Sequence, residues 1–144
     1  MCGIAGIFHC EGQKPVDPAR IERMLAAAPH RGPDGRGTWT APGVGLGHLR
    51  LAIIDLDMRS AQPMVSPCGR YRIVLNGEIY NYLELAERLK QEGVRFNTHS
   101  DTEVLLAAYH RWGESCVAEF NGMFAFAIYD ADRRVLFCAR DRFG

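Results

Sequence analysis

The residue with the most direct chemical potential stands almost at the start of the chain. Cysteine has a small side chain, so the initiator Met1 ahead of Cys2 is a target for removal, which would leave a thiol beside its own α-amino group. A free α-amine titrates near pH ~8 and a thiol near ~8.5, so the amine can act as base without a histidine partner. A retained Met1 would acylate that amine and remove the base. Taken alone, Cys2 reads rather as a small buried hydrophobe at a strand start, and only its company reverses that.

Further along, Asn76-Gly77-Glu78 follows a strand-like run and precedes a helical one. A side-chain amide and a glycine N–H could converge there on one oxyanion, each donor contributing roughly 3 kcal/mol. The same dipeptide also suits an ordinary Asn-Gly turn. Arg50 interrupts the apolar run Leu49 to Ile54, and its planar fork suits a carboxylate or an exposed edge-strand position. Asp101 falls in the first turn of a helix, where the dipole favours it; it could instead bind an ammonium group. His30 in HRGPDG at 30–35 reads as a loop anchor, since the sequence offers it no partner for proton transfer.

The elements that must position these residues are legible in outline. Ile4 to Phe8 reads as a short buried strand. Asp17 to Ala28 reads as a helix with Pro18 in its first turn and Pro29 as its stop. His30 to Gly47, with six glycines and two prolines, reads as a long loop that approaches something closely. Leu46 to Ile54 and Tyr71 to Leu75 are strand-like. Tyr80 to Glu92 carries Tyr82, Leu85, Ala86 and Leu89 on one face, with Gly93 as its end. Ser100-Asp101-Thr102-Glu103 is a capping box opening a helix that buries Val104, Leu105, Ala108 and Trp112 and stops near Gly113. Met123 to Tyr129 and Val135 to Ala139 flank the turn Asp130-Ala131-Asp132-Arg133, a hairpin signal. Strands at both ends with helices between them predict an α+β fold of antiparallel sheets covered by helices, not a doubly wound parallel sheet.

Composition narrows the classes. The chain has 144 residues, 47% hydrophobic and 24% charged, which suits one globular domain with a sizeable core. Basic and acidic residues balance at 17 each, which gives no electrostatic case for nucleic acid or a membrane surface. No apolar run approaches the roughly 20 residues of a membrane span, and the N-terminal apolar stretch lacks a basic leader. A cytoplasmic location is therefore expected. Five cysteines, an odd number without C-x-x-C spacing, argue against disulfides, and no Cys/His spacing suits zinc. Cys10, Cys68, Cys116 and Cys138 are expected to pack in the interior.

Together these residues resemble the class II glutamine amidotransferases, which are N-terminal-nucleophile (Ntn) hydrolases. The likeness runs from Met1-Cys2-Gly3-Ile4-Ala5-Gly6 through HRGPDG, GHLRLAIIDL at 47–56 and QPM at 62–64. It continues through LNGEIYNY at 75–82, SDTEVLL at 100–106, NGMFAFAIYD at 121–130 and ARDRFG at 139–144. Within the class, HRGPDG, NGEIYNY and ARDRFG resemble asparagine synthetase. The resemblance implies a four-layer αββα sandwich with two antiparallel sheets, and hydrolysis of glutamine to glutamate and ammonia. It implies Cys2 as nucleophile, its freed amine as base, and Asn76 with Gly77 as oxyanion hole. Arg50 would hold the substrate α-carboxylate, Asp101 with Glu78 its α-ammonium, and backbone groups of Leu51, Ala52, Ile53 and Ile54 would line the pocket.

The resemblance also implies that ammonia passes to a synthetase domain in which ATP activates aspartate. No Ser-Gly-Gly pyrophosphate loop occurs in these 144 residues, so ATP and Mg are expected only in that missing part, with no cofactor or metal here. Because ARDRFG is followed by more strand in the family, the domain is expected to be C-terminally incomplete. The expected partners are glutamine, the synthetase domain and, for the parent enzyme, a second copy. Two other readings stay open: a relative that amidates another acceptor, and a truncated, non-catalytic binding module.

Overall fold

The structure, a computed structural model, describes residues 2–144, so the expectations about Met1 lie outside the described residues. The order is β1 (Gly3–Phe8), α1 (Pro18–Ala26), β2 (Gly35–Ala41), β3 (Val44–Arg50), β4 (Met64–Val65), β5 (Tyr71–Ile79), α2 (Tyr82–Gln91), α3 (Asp101–Trp112), β6 (Gly122–Asp130) and β7 (Val135–Arg140). One sheet has the order β1-β3-β2 and the other β4-β5-β6-β7, antiparallel throughout. This is the expected α+β architecture, with two antiparallel sheets and helices over them.

Four layers follow from where the side chains go. Side chains alternate across a strand, so β3 offers Val44, Leu46, His48 and Arg50 to one face and Gly45, Gly47 and Leu49 to the other. Val44 and Leu46 meet Val74 and Tyr129 of the second sheet, flanked by Phe8 and Trp39, and form the core between the sheets. The opposite face receives α1 through Ile21 and Leu25, one turn apart. A Cβ at Gly47 would lie 2.6 Å from Ile21, and one at Gly45 2.8 Å from Val16, so glycine there lets the helix settle onto the sheet. On the outer face of the second sheet, α2 supplies Leu85 and Leu89, and α3 supplies Val104, Leu105 and Ala108. Each fully buried aliphatic side chain contributes about 1.5–3 kcal/mol.

The glycine-rich stretch at 30–47 is not a long loop. It forms most of the β2–β3 hairpin, and most of its glycines serve close packing. At Gly37 a Cβ would stand 2.1 Å from the Gln62 carbonyl oxygen, and at Gly32 2.3 Å from the Leu49 backbone. The strand expected to run to Ile54 ends at Arg50, and irregular backbone follows. Asn76-Gly77-Glu78 lies inside β5, which runs to Ile79, and is not a turn. Strand geometry extends further because Tyr80 N–H still donates to Asn121 O at 2.7 Å, and the second helix begins only at Tyr82.

Ser100 caps α3 by accepting from Glu103 N–H at 3.2 Å. Glu103 does not complete the box. Its carboxylate instead accepts from the N–H groups of Asn97 and Thr98. Of the four cysteines expected inside, only Cys116 is buried, with its thiol pushed up to about 12 by burial; Cys10, Cys68 and Cys138 are exposed. No helix among the described residues is long and apolar enough to cross a membrane.

Candidate active site

The inner face of β3 changes character along its length, from Val44 and Leu46 to His48 and Arg50, both buried at 1% and 8% exposure. The polar end opens into a cavity of about 150 Å³, small beside the roughly 300–1,000 Å³ of drug-sized sites. Cys2, Arg50, Leu51 to Ile54, Gly77, Glu78 and Asp101 all line it. Residues from the N-terminus, both sheets and the third helix thus meet at one place.

Cys2 is half-buried, and its Sγ accepts from Leu51 N–H at 3.3 Å. Its own carbonyl accepts from Arg31 Nε at 3.0 Å, which fixes the start of the chain against the 29–31 turn. The HRGPDG segment therefore anchors through Arg31, Gly32 and Asp34. Asp34 N–H donates to Arg50 O at 3.0 Å, and its carboxylate accepts from Ala52 N–H at 2.9 Å. His30, expected to be the anchor, is exposed and makes no side-chain hydrogen bond among the described residues.

Arg50 has no carboxylate within 4.0 Å among the described residues. One terminal nitrogen donates to the carbonyls of Asp55 at 2.6 Å and Asp57 at 3.0 Å. These bonds curl the 51–57 segment back over the guanidinium, which explains why the strand stops there. Asp55 secures the curl, since its carboxylate accepts from Asp57 N–H, Ser60 Oγ–H and His99 N–H. Those donors, Asp57 foremost, hold its carboxyl down at about 2. The carbonyls solvate the arginine without neutralising it, so a buried positive charge lies beside the cavity without a counter-ion.

Asp101 presents the converse case. It is 6% exposed, has no cationic side chain within 4.0 Å among the described residues, and accepts from Ile79 N–H at 3.0 Å. Burial pushes its carboxyl above the ordinary value. Hydrogen bonds from Ile79 and Thr102 oppose the shift, and the Glu78 charge adds to it. A ligand carrying one anionic and one cationic group would supply both missing partners.

Gly77 has φ +140°, and a Cβ there would fall 2.0 Å from Met123 O, so glycine is required. Asn76 does not line this cavity. It lines a hollow on the other side of Cys2 with Arg31 and Leu49, and its buried Oδ1 has no hydrogen-bond partner among the described residues. Cys2 borders both hollows, and so links them.

Among the lining residues that went unnoticed as candidates in the sequence are His48, Gln62 and Thr102. His48 Nε2 lies 3.2 Å from Leu75 O, and Gln62 Oε1 accepts from Leu75 N–H at 2.6 Å. Gln62 Nε2 donates to Thr102 Oγ1 at 3.1 Å. Burial lowers the His48 pKa to about 4, against the pull of the Leu75 bond and with help from Arg50, so the ring is neutral at pH 7. Its Nδ1 is buried without a partner among the described residues, at a cost of about 1–3 kcal/mol. The period-two rule, applied backward from Arg50, places His48 on the same face and could have found it.

The glutamine amidotransferase domain family matches the chain over residues 1–144. Glutamine-hydrolyzing asparagine synthetase 1 of Bacillus subtilis (strain 168) is 44% identical over 146 residues, covering 100% of this chain and 23% of that protein. Asparagine synthetase 3 of the same organism is 42% identical, again over 100% of this chain and 24% of its own length. The chain thus spans about a quarter of the length of these curated relatives. Among solved structures, the glutamine phosphoribosylpyrophosphate amidotransferase of B. subtilis, complexed with ADP and GMP, superimposes with TM-score 0.73 at 22% identity. That likeness covers 89% of this chain and 35% of the other, and shows a shared fold. With a family match across every residue and relatives above 40% identity over its full length, this chain, an αββα sandwich, belongs to the glutamine amidotransferase family.

Proposed function

We propose that this chain hydrolyses glutamine to glutamate and ammonia, with Cys2 as nucleophile. One observation carries the reading. Among the described residues, a buried guanidinium without a carboxylate and a buried carboxylate without a cation border the same amino-acid-sized cavity, and Cys2 borders it too. That charge pattern suits an α-amino acid, with its carboxylate on Arg50 and its ammonium on Asp101 and Glu78.

The chemistry follows from the residue types. The Cys2 thiol passes its proton to the freed α-amine, and the thiolate forms a C–S bond to the side-chain amide carbon. The carbonyl oxygen takes the negative charge, with Gly77 N–H as donor on the cavity side and Asn76 Nδ2–H as donor from the adjoining hollow that Cys2 also borders. Collapse expels ammonia, which carries the proton from the α-ammonium, and leaves a thioester that water hydrolyses to glutamate. In this reading residues 1–144 form a glutaminase unit. The names of the curated relatives support aspartate as the acceptor of its ammonia, in a synthetase part outside these residues.

The test is glutamate release from glutamine by the purified chain, after mass spectrometry has established that Met1 is gone, beside a Cys2→Ala variant. Turnover that disappears in the variant is the expected result. Folded, Met1-free protein that leaves glutamine intact would overturn the reading.

A further inference from the structure

Strand β5 has an unusual edge. Alternate residues of an antiparallel strand turn both their N–H and C=O to the same side. On the side away from β6, Tyr71 exchanges bonds with Ser66, and Ile73 faces Met64 of β4. There β4 ends. Two residues on, the Leu75 N–H goes to Gln62 Oε1, and its C=O accepts from His48 Nε2–H. Ile79 N–H goes to the Asp101 carboxylate. Side chains thus stand in for the missing strand on either side of Gly77, which by the same alternation turns its amide to this edge, where the cavity lies. Its neighbour across β6, Phe124, offers Gly77 nothing, because both its N–H and its C=O are bonded to Asp141.

Building on the glutaminase reading, we propose that His48 and Gln62 are positioning residues for the oxyanion site. Between them they clamp both polar groups of the Leu75 peptide, so that Asn76 and Gly77 hold their donors in place. His48 must be the Nε2–H tautomer, since a carbonyl only accepts. Its other nitrogen gains nothing from burial. A hydrocarbon would fill the same volume without that orphan, so the bond to Leu75 is what the ring provides. Gln62 extends the clamp to Thr102, beside the ammonium-binding Asp101, and couples the two halves of the pocket.

The test compares His48→Leu, His48→Gln and Gln62→Met in the full chain. Glutamine kinetics are read alongside inhibition by L-glutamate γ-semialdehyde. Cys2 adds to the aldehyde carbon of that probe, the carbonyl oxygen becomes the oxyanion, and nothing leaves, so its affinity reports the oxyanion donors. His48→Leu and Gln62→Met should each lower kcat ten- to hundred-fold, hold KM within threefold, and weaken the aldehyde by the factor lost in kcat. His48→Gln, whose amide can still donate to Leu75, should recover most of the loss. Folded variants with kcat within threefold of wild type, or with kcat and KM changed together, would overturn the proposal. If His48→Leu does not fold, Gln62→Met and His48→Gln decide by the same criteria. If the wild-type chain itself lacks turnover, the glutamine reading falls separately. The Asn76 and Gly77 amide resonances then report on the clamp: displaced or broadened in Gln62→Met and close to wild type in His48→Gln supports it, and unchanged in Gln62→Met overturns it.

Discussion

Asp101 carries the sharpest consequence for a single side chain. It is a buried carboxylate kept reluctant to ionise by desolvation and by Glu78, and a substrate ammonium would relieve both. Asp101→Asn keeps an acceptor for Ile79 N–H while deleting the charge, so the fold should tolerate it. A hydrogen bond to a charged group contributes about 1.5–3 kcal/mol, so the glutamine KM should rise roughly ten- to hundred-fold, with a smaller change in kcat. Glutaramate, which lacks the amino group, separates this from a general loss. Wild type should discriminate against it strongly and the variant hardly at all; equal discrimination by both would remove Asp101 from ammonium recognition. Cys2, Arg50 and Asp101 were legible in the sequence because a charge or a thiol in an apolar or capping context is conspicuous. Their mutual approach was implied only by the family resemblance, since nothing local in residues 2, 50 and 101 encodes it. His48 was missed because its importance lies in one hydrogen bond across to the second sheet.

Among elements, the helices were read well because capping and apolar periodicity are local signals, as with Asp17 bonded to Ala19 N–H and Ser100 to Glu103 N–H. The β2–β3 hairpin was misread because its glycines, usually punctuation, are there for contact with α1 and Gln62, which only the tertiary fold supplies. The β6–β7 hairpin was read correctly, but what holds it was not. Arg70, just ahead of β5, forms a two-pronged ion pair with Asp130 at 2.8 and 2.7 Å, and Asp130 also accepts from the turn N–H groups of Asp132 and Arg133. Asp130 is 1% exposed, so removing its partner strands a buried charge, while Arg70 remains about a third exposed and water can compensate in part. Arg70→Met should therefore cost about 2 kcal/mol, below the ~3–5 of a fully buried broken pair. Urea unfolding with an unchanged m-value would measure it. A loss under about 0.5 kcal/mol would mean that the turn N–H groups alone hold Asp130.

For the molecule as a whole, the seam between the sheets sets how stability responds to acid. His48 has an ordinary value of 6.5 and a folded value of about 4, so between those limits the unfolded chain binds a proton that the folded chain refuses. Stability must then fall as pH drops from 6.5 to 4, by up to about 3 kcal/mol from this residue, with no further loss from it below pH 4. Asp101 acts in the opposite sense, because its raised carboxyl lets the folded chain take a proton above 3.8 and so offsets part of the loss. Asp55, held near 2, adds destabilisation only below 3.8. Of these three groups, His48 is therefore the one that destabilises the chain between 6.5 and about 4.5, with Asp101 opposing it from 3.8 upward. Urea midpoints measured across that window should fall steadily for wild type and much less for His48→Gln, which has nothing to protonate there. Parallel curves for the two proteins would show that His48 takes up its proton without unfolding the seam, and that acid acts elsewhere.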